Sequence, residues 1–193
     1  MQKRCRYREA YAAAYKAMLA LSQAVERTGF APQLIDLVNY RVSQLNGCAV
    51  CLDMHAKDLR ARGEPEQRLY MISAWREAPY IYSDRDRAAL AWAEAVTRLE
   101  GQQVPDAVYD MASQQFSEAE LTQLTRAIVA INGWNRFNVA SHTRLATTCR
   151  RRCPRPAENW ELMPQGPPCS MGSSPEAKQG DHRQFRAFAG RQS

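Results

Sequence analysis

The sequence predicts an all-α fold, and three observations carry that prediction. Apolar residues recur at three- and four-residue steps through most of the first 143 residues. The stretches so marked are punctuated by Gly and Pro where helices stop and start. No run alternates between apolar and polar long enough to be read as a strand. With 193 residues, 45% of them hydrophobic, the chain suits one compact domain plus a modest appendage.

The first helix is expected from the stripe Tyr11, Ala14, Met18, Leu21 and Val25, with Lys16 and Glu26 off it. Basic residues ahead of this stretch (Lys3, Arg4, Arg6, Arg8) superficially suggest a targeting peptide, but the periodicity favours an amphipathic helix packed on its own domain. Pro32 opens the next helix, its missing N–H being one that a first turn leaves unpaired anyway. Leu34, Leu37, Val38, Val42 and Leu45 form its stripe, and Asn46-Gly47 ends it, Gly being the easy residue for a left-handed cap. A third helix is predicted from about Cys48 to Arg62, stopped by Gly63. Glu64-Pro65 starts a fourth through Leu69, Ile72 and Trp75. Ser83 is the expected N-cap of a fifth, with Asp86 in its first turn and Ala89, Leu90, Trp92, Ala93, Val96 and Leu99 following. Pro105 begins a short helix with Val108 and Met111, and Ser117-Glu118-Ala119-Glu120 forms a capping box before Leu121, Leu124, Ile128, Ile131 and Trp134.

Near His142 the composition changes. Residues 144–193 hold six of the ten prolines, and nine basic against four acidic side chains, so this segment carries +5 of the formal +6. A basic, Pro-rich composition with no sustained apolar stripe predicts a largely disordered tail, while residues 1–143 are expected to form the helical domain. That domain is nearly neutral and offers no electrostatic footprint for nucleic acid. No stretch approaches the roughly 20 apolar residues that span a bilayer, which leads to the expectation of a soluble cytoplasmic protein without a membrane partner.

The most informative segment is Asn46-Gly47-Cys48-Ala49-Val50-Cys51-Leu52-Asp53-Met54-His55. At about 100° per residue, Cys48, Cys51 and His55 fall within a helical stripe about 60° wide. Unpaired N–H groups and the helix dipole favour a thiolate at the first turn, and on that ground Cys48 is the more acidic thiol. His55, one turn beyond Cys51, can exchange a proton with a leaving group, and the two-residue gap lets the sulfurs approach for a disulfide. Two other readings stand beside redox chemistry. Both cysteines can be small buried apolar residues with a satisfied core histidine. Alternatively zinc takes Cys48, Cys51 and His55 with a fourth ligand from Cys149, Cys153 or His142.

The run from Arg41 to His55 resembles the alkylhydroperoxidase D-like branch of the carboxymuconolactone decarboxylase family, as do Ala74-Trp75-Arg76-Glu77, the stretch 84–97 containing Arg87-Ala88-Ala89-Leu90-Ala91-Trp92, and Ile131-Asn132-Gly133-Trp134-Asn135-Arg136. The resemblance implies an AhpD-like helical bundle, self-association into a homo-oligomer through helix packing, and reduction of alkyl hydroperoxides with no cofactor and no metal. It implies Cys51 as the peroxidatic nucleophile, Cys48 as the resolving thiol, and a dithiol reductant such as a dihydrolipoyl protein. Family members place a glutamate twelve residues before the first cysteine, in a proton relay with the histidine; here that position is Asp36. Its side chain is one methylene shorter, so either a bridging water lengthens the relay or the relay is weakened. A non-catalytic thiol redox sensor or partner-binding module is the alternative function. Tyr40, Trp75, Trp92 and Trp134 are expected in packing, and Arg41 and Arg136 in surface salt bridges.

Overall fold

The computed structural model describes residues 2–26 and 29–145. Apart from Arg144 and Leu145, the segment 144–193 expected as a tail lies outside the described residues. The order of elements is α1 (Tyr7–Ala10), α2 (Ala12–Glu26), α3 (Pro32–Leu45), α4 (Ala49–Ala61), α5 (Glu66–Met71) running into a 3₁₀ turn (Ile72–Glu77), α6 (Asp84–Arg98), α7 (Asp106–Ser113) and α8 (Glu118–Ala140). There is no strand among the described residues.

Local chemistry accounts for most boundaries. Ser83 and Ser117 each accept from the backbone N–H three residues on, and Asp86 and Glu120 reach back to the cap N–H, so both α6 and α8 open with capping boxes. Pro65 and Pro105 sit at N-caps, one residue ahead of the first helical turn. The helix expected through Trp75 does not stay regular: it tightens into the 3₁₀ turn, and Ala74 leaves helical geometry. Near the start, the chain breaks at Tyr11, which caps α1 and is 69% exposed, so the stripe that buries α2 begins at Ala14 instead.

α3 is the centre of the bundle, packed against α4, α6 and α8, while α2 lies on α8 and α7 on α6. Two side-chain clusters fill the interior. One joins Leu34, Val38 and Val42 of α3 to Cys48, Cys51, Trp92, Leu124 and Ile128. The other gathers Leu37, Leu59, Leu69, Ile72, Trp75 and Tyr82 around Leu90. Ala88, Ala89, Ala91 and Ala93 are all buried on α6, and their small side chains let α3 and α8 approach it closely. Trp75 and Trp92 are core residues as expected, Trp75 donating to Glu94 and Trp92 to Thr125. Tyr40 and Trp134 pack half-buried against those clusters.

Arg41 corrects the expectation of a surface salt bridge. It is buried and donates from Nε and Nη2 to Glu94 Oε1, both at 2.7 Å, while Arg76 Nη1 bonds Glu94 Oε2 at 2.5 Å and Trp75 Nε1 bonds Oε1 at 3.0 Å. The physical reason lies in the pairing: Glu94 arrives on the buried face of α6 and needs a cation, which only tertiary packing brings together. Arg136 is exposed, but it donates to the oxygens of Asn132 on its own helix instead of making the expected salt bridge.

Candidate active site

The junction between α3 and α4 places the thiols. Gly47 takes φ +63°, the left-handed cap conformation that a side chain rarely adopts. Gly47 N–H then bonds Gln44 O at 3.2 Å and Cys48 N–H bonds Ser43 O at 3.0 Å, the paired closure of a Schellman motif. Cys48 therefore ends one helix and caps the next, with extended φ −87° and ψ 95°. It precedes the first helical residue of α4 instead of opening the helix as the stripe arithmetic assumed. Its side chain makes no capping bond to the N-terminus of α4. The far end of α4 closes the same way: Gly63, at φ +84°, lets Glu64 N–H reach Leu59 O at 3.0 Å and leaves Arg62 as the C-cap.

Cys48 and Cys51 are 1% and 2% exposed and both are free thiols. The neighbouring Cys51 thiol, acting as a donor and opposed by burial, pulls the Cys48 thiol down to about 6. Cys51 is pushed well above the ordinary thiol range, first by that donor role, then by burial and by the charge on Cys48. The pair thus holds one negative charge readily and a second with great difficulty. The direction favours the cap position as the more acidic thiol, but its cause is the neighbouring Cys51 and not the helix dipole.

His55 lies one turn past Cys51 on α4 and is 6% exposed. Its Nδ1 donates to Asp36 Oδ1 at 3.3 Å, and Arg62 Nε donates to Asp36 Oδ2 at 2.7 Å. Burial pushes Asp36 up, but the bonds from His55 and Arg62 outweigh it, and the carboxyl sits below its usual range. The shorter acid reaches the ring directly, with no bridging water. With the Nδ1 proton committed to Asp36, Nε2 carries the free lone pair, and it is buried with no hydrogen-bond partner.

The four residues singled out by sequence, Cys48, Cys51, His55 and Asp36, are all buried at the packing of α3 on α4. Three more belong with them and were given no role from sequence. Arg62 fixes the second Asp36 oxygen. Asn138 of α8 donates from Nδ2 to Cys51 Sγ at 3.4 Å. Asn135, fully buried, donates to Ser43 Oγ at 3.1 Å and accepts from Asn46 Nδ2 at 2.9 Å, which ties the α3–α4 junction to α8. The one linear signal was three asparagines at three-residue spacing, Asn132, Asn135 and Asn138, in the last turns of a helix.

Among the described residues, donor atoms of Asp36, His55 and Asp58 lie within 4.8 Å of one another. This grouping does not include the cysteines of the zinc alternative, and the Arg62 guanidinium on Asp36 opposes a cation there. Cys149 and Cys153 lie outside the described residues.

A helical bundle with a Cys-X-X-Cys pair at a helix start and a histidine one turn on is of AhpD-like type. The chain belongs to the carboxymuconolactone decarboxylase family, whose model matches residues 12–95. It is 35% identical over 147 residues to the uncharacterized protein YdfG of Bacillus subtilis, covering 76% of this chain and 99% of that one. It is 30% identical to the uncharacterized protein YnjA of Escherichia coli, over 65% of this chain and 68% of that one. A crystal structure of an Agrobacterium tumefaciens protein of unknown function, suggested to be the antioxidant defence protein AhpD, superposes with a TM-score of 0.73 at 37% identity, over 76% of this chain and all of that chain. An uncharacterized peroxidase-related protein from Silicibacter shares the fold, with a TM-score of 0.61 at 20% identity over 71% and 72%. Among the described residues no helix is long and apolar enough to cross a membrane.

Proposed function

We propose that this protein is a thiol peroxidase that reduces alkyl hydroperoxides through a Cys48–Cys51 dithiol/disulfide cycle. One observation carries the reading: two buried free thiols lie at the start of the helix that carries a buried histidine, whose Nδ1 is held by a carboxylate. Family membership, and the suggested antioxidant role of the Agrobacterium protein, point the same way.

In the proposed cycle Cys51 gives its proton to the Cys48 sulfur and attacks the terminal peroxide oxygen as a thiolate. The O–O bond breaks, Cys51 becomes a sulfenic acid, and His55 Nε2, having taken up a proton from solvent water, passes it to the leaving alkoxide, which departs as an alcohol. Cys48 then attacks the sulfenic sulfur, forming the disulfide and releasing water. A dithiol, for which a dihydrolipoyl protein is suitable, reduces the disulfide and restores both thiols. Asp36 holds the imidazole with Nε2 free, and Arg62 holds Asp36. Residues 1–143 are the catalytic domain in this proposal. It works as a homo-oligomer in the cytoplasm, where thiols stay reduced, and exposed Val129 and Val139 on α8 offer apolar surface for self-association.

Thiols counted before and after one equivalent of an organic hydroperoxide test the reading. Two should be lost, and peptide mapping should trace them to Cys48 and Cys51. With a regenerating dithiol, consumption should continue over many turnovers and cease in Cys51→Ser with the helical circular dichroism intact. Oxidation that stops after one equivalent despite the dithiol would favour the sensor, and equal turnover in Cys51→Ser would sink both.

A further inference from the structure

Asn138 lies near the end of α8, is 7% exposed, and has both ends of its amide engaged. Nδ2 faces Cys51 Sγ at 3.4 Å, and Oδ1 accepts from the Tyr7 hydroxyl at 3.1 Å. The two faces of this amide have opposite effects on the sulfur. An N–H pointing at it stabilises negative charge, whereas a carbonyl oxygen pointing at it accepts from the protonated thiol and repels the thiolate.

The N-terminal arm decides which face is presented. The Tyr7 phenol O–H donates to Asn138 Oδ1 and so favours the face whose N–H points at the sulfur, while the Arg8 guanidinium lies over the Tyr7 ring, its carbon 5.9 Å from the centroid. The Tyr7 ring is itself held, stacked on Phe137 with centroids 5.1 Å apart. The arm is fastened beside it by Arg4 N–H to Ser141 O at 3.0 Å. A flipped amide would lose the bond from the Tyr7 hydroxyl and turn its oxygen toward the sulfur.

We propose that Asn138 stabilises the negatively charged Cys51 sulfur of the attacking state, and that Tyr7 is a positioning residue that orients the Asn138 amide and so couples the N-terminal arm to the reactivity of the thiol pair. This rests on the redox reading of Cys48 and Cys51. It adds that the reduced pair is stabilised from α8, so that its disulfide is a stronger oxidant than it would be without the amide.

The test uses the full chain and two readouts that do not depend on turnover. The first is the rate of iodoacetamide alkylation at Cys51 against pH, resolved by mass spectrometry in a Cys48→Ser background so that the partner sulfur does not titrate. The second is the equilibrium of the Cys48–Cys51 disulfide with dithiothreitol. Asn138→Leu should slow Cys51 alkylation at neutral pH about tenfold, the scale of one lost hydrogen bond to a charged group. It should also shift the dithiothreitol equilibrium toward the disulfide. Asn138→Asp, the same size with a negative charge in place of the neutral amide, should slow alkylation further. Tyr7→Phe keeps the stacking on Phe137 and should act in the same direction by a smaller factor. If an Asn138 variant does not fold, Tyr7→Phe still decides the matter. Unchanged alkylation profiles and disulfide equilibria in the folded variants would overturn this proposal even if the wild type is a peroxidase. A wild type that never oxidises would sink the peroxidase reading while leaving the alkylation test in force.

Discussion

Asp36 on α3 reaches His55 on α4 directly, its Oδ1 3.3 Å from the imidazole Nδ1. Arg62 takes the other oxygen at 2.7 Å, so a helix C-cap, a neighbouring helix and the histidine are tied through one carboxylate. That carboxylate does two jobs in the proposed cycle: it sets the ring tautomer, and it balances the charge of Arg62.

Asp36→Asn keeps the shape and removes both. The amide can present either face to Nδ1, so the tautomer with Nε2 unprotonated is no longer enforced, and Arg62 loses its anion. Peroxide turnover is expected to fall by about 10²-fold or more, within the range for a general acid–base group. Stability should drop by about 1–3 kcal/mol, read as a lower urea midpoint. Turnover equal to wild type would show that the histidine works without its carboxylate.

The Cys48 thiol, held down to about 6 by the neighbouring Cys51 thiol, should carry the pair's first negative charge well below the ordinary thiol range near 8.5. Site-resolved alkylation of the reduced wild type should therefore rise with pH with a midpoint near 6 at Cys48, while Cys51 stays slow. A midpoint above 8 at Cys48 would remove the electrostatic basis for the proton transfer between the two sulfurs.

Glu94 is buried with Arg41, Arg76 and Trp75 all donating to it. Glu94→Gln leaves the Arg41 guanidinium buried without an anion, at an expected cost of about 3–5 kcal/mol in urea unfolding. Burial pushes Glu94 up, the three donors pull it further down, and the net direction is below its usual range, like Asp36. For an acid with a depressed folded pKa, the stabilisation is fully present above the unfolded value, about 4, and is lost as pH falls through the lower folded one. Urea midpoints should accordingly fall as pH drops below about 4 in the wild type, and less steeply in Glu94→Gln.

All the proposed catalytic residues lie within the first 143 positions. A chain ending after Arg144 should keep its helical circular dichroism, urea midpoint and peroxide turnover. A large loss of any of these would show that the domain boundary is wrongly drawn.

Helix starts and stops were legible because they are local chemistry. Ser83 with Asp86, Ser117 with Glu120, and the glycines at 47 and 63 act within a few residues of their own backbone. The irregular turn after α5 was not, since Ala74 leaves the helix where Trp75 swings in to reach Glu94, nineteen residues away. Cys48, Cys51 and His55 could be grouped because one short segment holds all three. Asp36 could be added only through family likeness, since no spacing rule relates it to a histidine on another helix.

By itself, then, the sequence determined the helices, their caps and the thiol–imidazole segment, because each depends on interactions spanning about a turn or two. Tertiary structure alone decided that Arg62 would clasp Asp36, that Arg41 would be buried against Glu94, and that Asn138 and Tyr7 would close over Cys51 from the far end of the chain. Those contacts join residues 26 to 131 positions apart. Their partners are chosen by which helix faces pack together, and no local periodicity encodes that choice.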